Sequence, residues 1–493
     1  MEDTASYFLT RLLLQRGIAL VYVIAFAAII HQFIPLLGEN GLLPVSKFVR
    51  ATPFWRYPSL FQFFPKDLAF QVCGFIGFAV ALLALFGITE NFGTPVSIGS
   101  WLLLWILYLS FNNVGQTFFA FGWESLLLEA GFFAMFLGAA HTAPPVITIW
   151  IMRWILFRLM FGAGLIKLRG DSCWHDLTCL FYHYETQPMP NSLSWFFHHL
   201  PGNAHKLSVL MSHFIQLIVP FFLFLGKSLP AVAGILTIFY QGMLLLSGNL
   251  SWLNLIPIVL AFSAFNDAQL KMILPMEIPS LAPLSPVHHW VIMGLAVMTA
   301  LLSIRPVLNM LSPRQMMNAS FNPLHLVNTY GAFGTVTKKR NEIVLEGTSD
   351  SVLGYQNNWK EYEIPGKPTA PGKIPPQIAP YHYRLGWMMW FAAFSPNIHD
   401  NWFTHLVYKL LQNDPNALKL LKHNPFPDHP PKYVRALYYH YRFTTPEERK
   451  LTGDIWHRDL LGEYLPPVSL NDPKLVDFIR QQGWERRPKL LNN

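Results

Sequence analysis

Long apolar runs with few charges follow one another from residue 17 to about Arg305, and they leave this chain few places to fold. A helix crossing the hydrocarbon core of a bilayer needs ~20 largely apolar residues. Runs of that kind fall at 17–37, 68–88, 95–111, 117–138, 146–168, 207–225, 229–246, 252–265 and 290–308. They predict about eight or nine spans. The run at 252–265 is short, and a re-entrant or interfacial placement is its alternative. Trp and Tyr gather at several run ends, where an interfacial aromatic belt would sit. The chain is 52% hydrophobic and only 13% charged, about half the charge of an ordinary globular domain. A soluble fold could not bury so much apolar surface. Beyond residue 311 the composition becomes ordinary. The expected fold class is therefore a polytopic α-helical membrane bundle (1–310, with a polar loop at 169–206) followed by a C-terminal α+β soluble domain (311–493).

Arg11 and Arg16 precede the first run, and no small-x-small cleavage site follows it. That pattern reads as a retained span, not a signal peptide. The last residues carry no retrieval tetrapeptide. The formal charge is +8, but the basic residues are dispersed and form no aromatic-basic recognition face. No nucleic-acid partner is expected. Lys and Arg flanking spans account for the excess, and they are too thin in the loops to orient the bundle. The segment between 37 and 68, with Arg56 and several Phe, reads either as an amphipathic piece lying on the membrane or as a packed loop.

In the C-terminal part, 335–337 and 342–347 alternate around the polar turn 338–341, which predicts a hairpin. A third strand is predicted at 359–364. The proline-rich stretch 365–380 reads as an extended connector. Helical patterns are read at 385–394, 402–412, 416–422 and 434–441, and the tail beyond 452 reads as proline-broken.

Charged side chains inside spans are costly and mark functional positions or structural pairs. Glu124 and Glu129 lie in one run, and Arg153, Arg158 and Lys167 in the next. Opposite charges on neighbouring helices can clasp the helices in register, or line a polar cavity. A five-residue spacing at about 100° per residue sends the two members of each pair to different faces. Asn112 and Asn113, with Gln116, sit where one run ends, in position to cap helices or bond across a bundle. Cys173 and Cys179 flank a short polar stretch. They can bridge in an oxidising compartment or remain thiols, and the sequence leaves both open. Cys73 lies inside an apolar run and reads as a packed thiol. The loop histidines His175, His183, His198, His199 and His205 lack a recognised ligand spacing, so no metal and no cofactor is expected. There is no G-x-S-x-G elbow, P-loop or dinucleotide fingerprint.

Several longer stretches resemble the lipase maturation factor family, in order along nearly the whole chain. They are LTRLLLQRGIALVYVIAF with HQFIPLLGENGLLP, LSFNNVGQTFFAFGWESLLLEAGF, FRLMFGAGLIKLRGDSCWHDLTCLFYHYETQPMPNSLSWFFHHLP, NTYGAFGTVTKKRNEIVLEGT, PYHYRLGWMMWFAA and NPFPDHPPKYVRALYYHYRFT. The resemblance implies a membrane-resident chaperone that assists folding and assembly of secreted lipases or related exported clients. Its partners would be that client and membrane lipids. It implies the endoplasmic reticulum membrane in a eukaryote or the inner membrane in a bacterium, with the soluble domain lumenal or periplasmic. The client-binding region would fall at 318–467. There Trp359, Tyr381, Arg384, Trp387, Trp390 and Trp402 are expected either on a client-binding face or in the domain core. The membrane half is also distantly similar to the membrane fold of vitamin K-dependent gamma-carboxylases. The run AGLIKLRGDSCW is similar to the stretch holding that family's catalytic lysine, which places it at Lys167. The alternative function is thus a membrane-embedded enzyme using a cavity of Glu124, Arg153, Arg158 and Lys167. One departure counts against the same chemistry, because Val114 follows Asn112 and Asn113 where the carboxylases carry a histidine.

Overall fold

The computed structural model describes residues 6–395 and 400–484. The chain divides into two compact units. Unit 1 comprises Met1–Phe33, Val45–Lys338 and Pro376–His382, and unit 2 comprises Ile34–Pro44, Lys339–Pro375 and Tyr383–Asn493.

Among the described residues, seven helices are long and apolar enough to cross a membrane, all of them in unit 1 except the last turn of the first. These include α1 (Phe8–Leu37), α2 (Asp67–Leu85) and α3 (Thr94–Val114). The short helix α4 (Gly122–Ala134) precedes α5 (Val146–Arg169), α6 (Gly202–Leu217) and α7 (Leu229–Ser247). A second short helix, α8 (Leu255–Ala261), leads to α9 (Pro286–Leu311). The apolar run through α6 continues to Phe222. Arg11, near the start of α1, does not reach solvent. Its guanidinium donates to the carbonyl oxygens of Ala139, Thr142 and Ala140 at 2.6, 2.5 and 2.7 Å. These carbonyls follow α4, so one buried cation satisfies acceptors that no helix turn would satisfy. α9 is capped by Ser285, whose hydroxyl accepts from the His288 N–H, with Pro286 at the first helical position.

Two of the nine apolar runs, among them 252–265 with its re-entrant or interfacial alternative, form helices shorter than the seven. The run at 117–138 yields only α4, 13 residues long, or roughly 20 Å at 1.5 Å per residue, against a hydrocarbon core of ~30 Å. It is buried on nearly every side. The run at 252–265 yields α8, flanked by 3-10 turns at Ser251–Leu253 and Phe262–Ala264. A helix that is apolar all round is either a span or a core helix, and these two are core.

Unit 2 is built on an antiparallel sheet of order β2-β1-β3-β4, with β1 (Arg340–Thr348), β2 (Lys360–Glu361), β3 (Tyr433–Phe443) and β4 (Trp456–Val468). The hairpin expected around 338–341 does not form. β1 pairs instead with β3 along its whole length, Arg340 opposite Tyr441 and Thr348 opposite Tyr433. The third strand survives as β2, which pairs only Lys360 and Glu361 with β1. The helix expected at 434–441 is the strand β3. Tyr439, Tyr441 and Phe443 recur with period two, and aromatic cross-strand packing outweighs the local helical pattern. The tail read as broken forms β4, whose Pro466 and Pro467 are tolerated because β4 is an edge strand. Around the sheet lie α10 (Arg384–Ala392), α11 (Asn401–Leu411) and α12 (Pro473–Gln481).

Candidate functional site in the membrane unit

The polar residues singled out in the spans are distributed over several separate arrangements. Glu129 of α4 and Arg158 of α5 form an ion pair, their side chains 0% and 1% exposed. The Arg158 Nη1 also donates to the Asn328 carbonyl oxygen at 2.5 Å. Glu129 Oε2 accepts from the Asn328 N–H at 2.9 Å, the Asn328 amide at 3.1 Å and the Tyr330 hydroxyl at 2.6 Å. A buried ion pair is tolerable when further hydrogen bonds fill its remaining lone pairs, and this one has them. Glu124, five residues earlier, points elsewhere. It accepts from the Tyr108 hydroxyl and lies 3.9 Å from His382 Nδ1. Arg153 donates to the carbonyl oxygens of Ser263 and Leu223 at 2.8 and 3.4 Å.

Asn113 is oriented by donating to the Pro58 and Pro323 carbonyls at 2.9 and 3.2 Å. Its Oδ1 then faces His325 Nε2 at 3.0 Å, while the Ser125 hydroxyl lies 3.1 Å from His325 Nδ1. A neutral imidazole with its proton on Nε2 satisfies both contacts, donating to Asn113 and accepting from Ser125. Burial pushes His325 down to about 4, which keeps it in that neutral form. Asn112 Nδ2 stands 3.2 Å from the same Nε2. His325 and Val327 adopt φ of 54° and 52°. That is a costly backbone region for a histidine and more so for a β-branched valine, and surrounding contacts must hold it.

Lys167, near the end of α5, donates to the Ala163 and Ala332 carbonyls at 3.2 and 3.1 Å and lies 5.3 Å from the Trp174 ring. It lines a cavity that Glu124, Arg153 and Arg158 do not line. Beyond it, Cys173 and Cys179 are joined by a disulfide. They pack with Trp174, Val209 and Val336 in a small core. The Trp174 indole donates to the Phe333 carbonyl at 2.9 Å. The loop histidines bond locally, His175 to the Leu168 carbonyl and His199 to that of Trp195. Among the described residues no group of three or more His, Cys, Asp or Glu converges as metal ligands would.

The aromatic candidates separate by burial. In unit 2, Arg384, Trp387 and Trp402 are buried, whereas Trp359 and Trp390 are partly exposed. The Arg435 guanidinium covers the Trp359 ring at 4.0 Å. Tyr381, in unit 1, accepts from the Gln32 amide at 3.0 Å. His325, Asn328 and Tyr330 were not singled out from sequence. They follow the last long span in a segment without helical or strand periodicity, and only the acidic residues of α4 hint that donors must arrive from elsewhere.

Comparison with known proteins covers both units. The lipase maturation factor transmembrane domain matches residues 9–272, and the lipase maturation factor C-terminal domain matches residues 326–466. Lipase maturation factor 1 of Homo sapiens is 42% identical over 520 residues, covering 98% of this chain and 91% of the human protein. Lipase maturation factor 1 of Bos taurus is 40% identical, covering 97% and 92%. Lipase maturation factor 2 of Homo sapiens is 30% identical, covering 97% and 85%. No solved structure gives a significant match. With its long apolar helices and a match across nearly its full length, this integral membrane protein belongs to the lipase maturation factor family.

Proposed function

We propose that this protein is a membrane-resident maturation factor that helps secreted lipases fold and assemble, and that unit 2 receives the client. The observation that carries this reading is the match to human lipase maturation factor 1 over 98% of the chain and 91% of that protein. It runs through both units with no large part missing. The buried charges of α4 and α5 support a structural role for the bundle, since Glu129 and Arg158 are consumed by each other and by Asn328 and Tyr330. In unit 2, β4 is an edge strand that leaves Leu460 and Leu461 exposed. An edge of this kind can pair with an unpaired strand of a half-folded client. Trp359 and Trp390, partly exposed, would add aromatic area to such a surface, and the buried Arg384, Trp387 and Trp402 would support it from within.

The location that fits is the endoplasmic reticulum membrane with unit 2 in the lumen. The disulfide between Cys173 and Cys179 supports an oxidising compartment at the C-terminal end of α5. The test is rescue. Cells lacking their own lipase maturation factors receive this chain with a secreted lipase, and lipase mass and activity are measured separately. Restored activity per unit mass supports the proposal. Unchanged specific activity, with the protein expressed and folded, rejects it.

A further inference from the structure

Unit 1 contains a cavity of about 300 Å³ between α5, α6, α7 and the short helix Leu180–Thr186. That volume is in the range of small-molecule sites. Its walls are mostly apolar, with Leu159, Leu207, Met211, Phe239, Met243 and Leu244 among them. Leu207, Met211, Phe239 and Met243 line the cavity and are themselves exposed, and all four lie on helices long and apolar enough to cross a membrane, so the cavity is open along its span helices.

Three of the polar lining residues are different in kind. Lys167 is 4% exposed and spends two donors on backbone carbonyls, and an ammonium has three. Among the described residues no carboxylate lies within ion-pair distance of it. Gln216 and Asn254, 4% and 1% exposed, also line the cavity. The Gln216 Oε1 and Asn254 Nδ2 have no hydrogen-bond partner. Unpartnered buried polar atoms carry a desolvation cost that a native structure normally offsets. His183 lines the same cavity. Burial, and next the nearby Lys167 charge, push it down to about 4, so it adds no positive charge at neutral pH.

A buried amine without a counter-ion, an unpartnered acceptor and an unpartnered donor, all lining one mostly apolar cavity, describe the complement of one kind of molecule. We propose that this cavity binds an amphiphile drawn from the membrane, with its anionic head on Lys167 and Asn254 and one acyl chain running between α6 and α7. An anion compensates the ammonium at a depth where an unpaired charge is expensive. The acyl chain replaces empty apolar volume with dispersion contacts. A long-chain carboxylate and an anionic phospholipid share this chemistry. The inference stands apart from the client reading, because it concerns unit 1 alone.

The full chain in phosphatidylcholine nanodiscs is exposed to a photoactivatable long-chain fatty acid, and the adducts are mapped by peptide mass spectrometry. Adducts are expected on peptides from α6 and α7, and competition is expected to lower them by about tenfold. Competition by oleate alone identifies a free carboxylate as the ligand. Competition by phosphatidylglycerol alone identifies a phospholipid. Lys167→Gln removes the charge and is expected to lower labelling by about tenfold. Met243→Trp, at an exposed position on the cavity wall, adds bulk to the cavity while leaving Lys167, Gln216 and Asn254 unchanged and is expected to do the same. It decides the matter if Lys167→Gln fails to fold. Labelling spread evenly over α2 and α9, labelling that neither competitor reduces, or wild-type labelling in either folded variant overturns the proposal.

Discussion

Arg158 on α5 holds the Glu129 carboxylate of α4 in an ion pair that water does not reach, their side chains 1% and 0% exposed. Removing one partner strands a buried charge. Glu129→Ala and Arg158→Ala are each expected to destabilise the protein by about 3–5 kcal/mol. Because both remove the same interaction, the double variant should lose clearly less than the sum. Thermal melts of the purified variants measure this, and additive losses would contradict the pairing.

His183 and His325 are both pushed down to about 4, His183 by burial and then Lys167, and His325 by burial. Their ordinary value is near 6.5. Between about 6.5 and 4 the unfolded chain takes up protons that the folded chain refuses, so stability falls as pH falls through that window. The slope approaches ~1.4 kcal/mol per pH unit for each histidine. His325→Gln should flatten part of it. A melting temperature independent of pH from 7 to 4.5 would refute the account of these two side chains.

The disulfide closes a loop with a sequence separation of six. Loop-closure entropy assigns such a bridge about 2 kcal/mol. Cys173→Ser should therefore lower stability by about that amount without abolishing the fold, since Trp174 still donates to Phe333. Non-reducing peptide mapping of protein made in cells should find the bridge. Fully alkylatable thiols there would place this end of α5 in a reducing compartment and contradict the oxidising side proposed for it.

In unit 2, Glu342 is buried between Arg340 Nη2 at 2.5 Å and Lys367. Burial pushes Lys367 down, and the Glu342 charge pulls it partly back up. Glu342→Gln leaves two buried cations facing a neutral amide. A loss of about 3–5 kcal/mol is expected, together with faster hydrogen exchange along β1 and β3. A loss below ~1 kcal/mol would show that the carboxylate is dispensable.

The membrane architecture was legible because apolar length is a one-dimensional signal. The two shorter runs, at 117–138 and 252–265, carry the same apolarity as the long helices. What distinguishes α4 and α8 is burial by other helices, which no single run reports. The separation of Glu124 from Glu129 followed from helical geometry alone. Asn328 and Tyr330, the donors that complete the Glu129 site, come from some two hundred residues away in sequence, and local pattern cannot show such a meeting. The same limit explains β3, whose partner β1 lies far upstream. Its tyrosines suit both a helix face and a pleated strand until that partner is present.

The proposed maturation role requires unit 2 to meet an immature client. A photocrosslinking amino acid at Leu461, exposed on the edge strand β4, tests this directly in the full chain co-expressed with a secreted lipase. Pulse–chase labelling should find an adduct with newly made lipase that disappears as lipase activity emerges. The same probe at Leu207, on α6 of the membrane unit, should give no lipase adduct. An adduct at neither position, or one confined to mature active lipase, would contradict the maturation account.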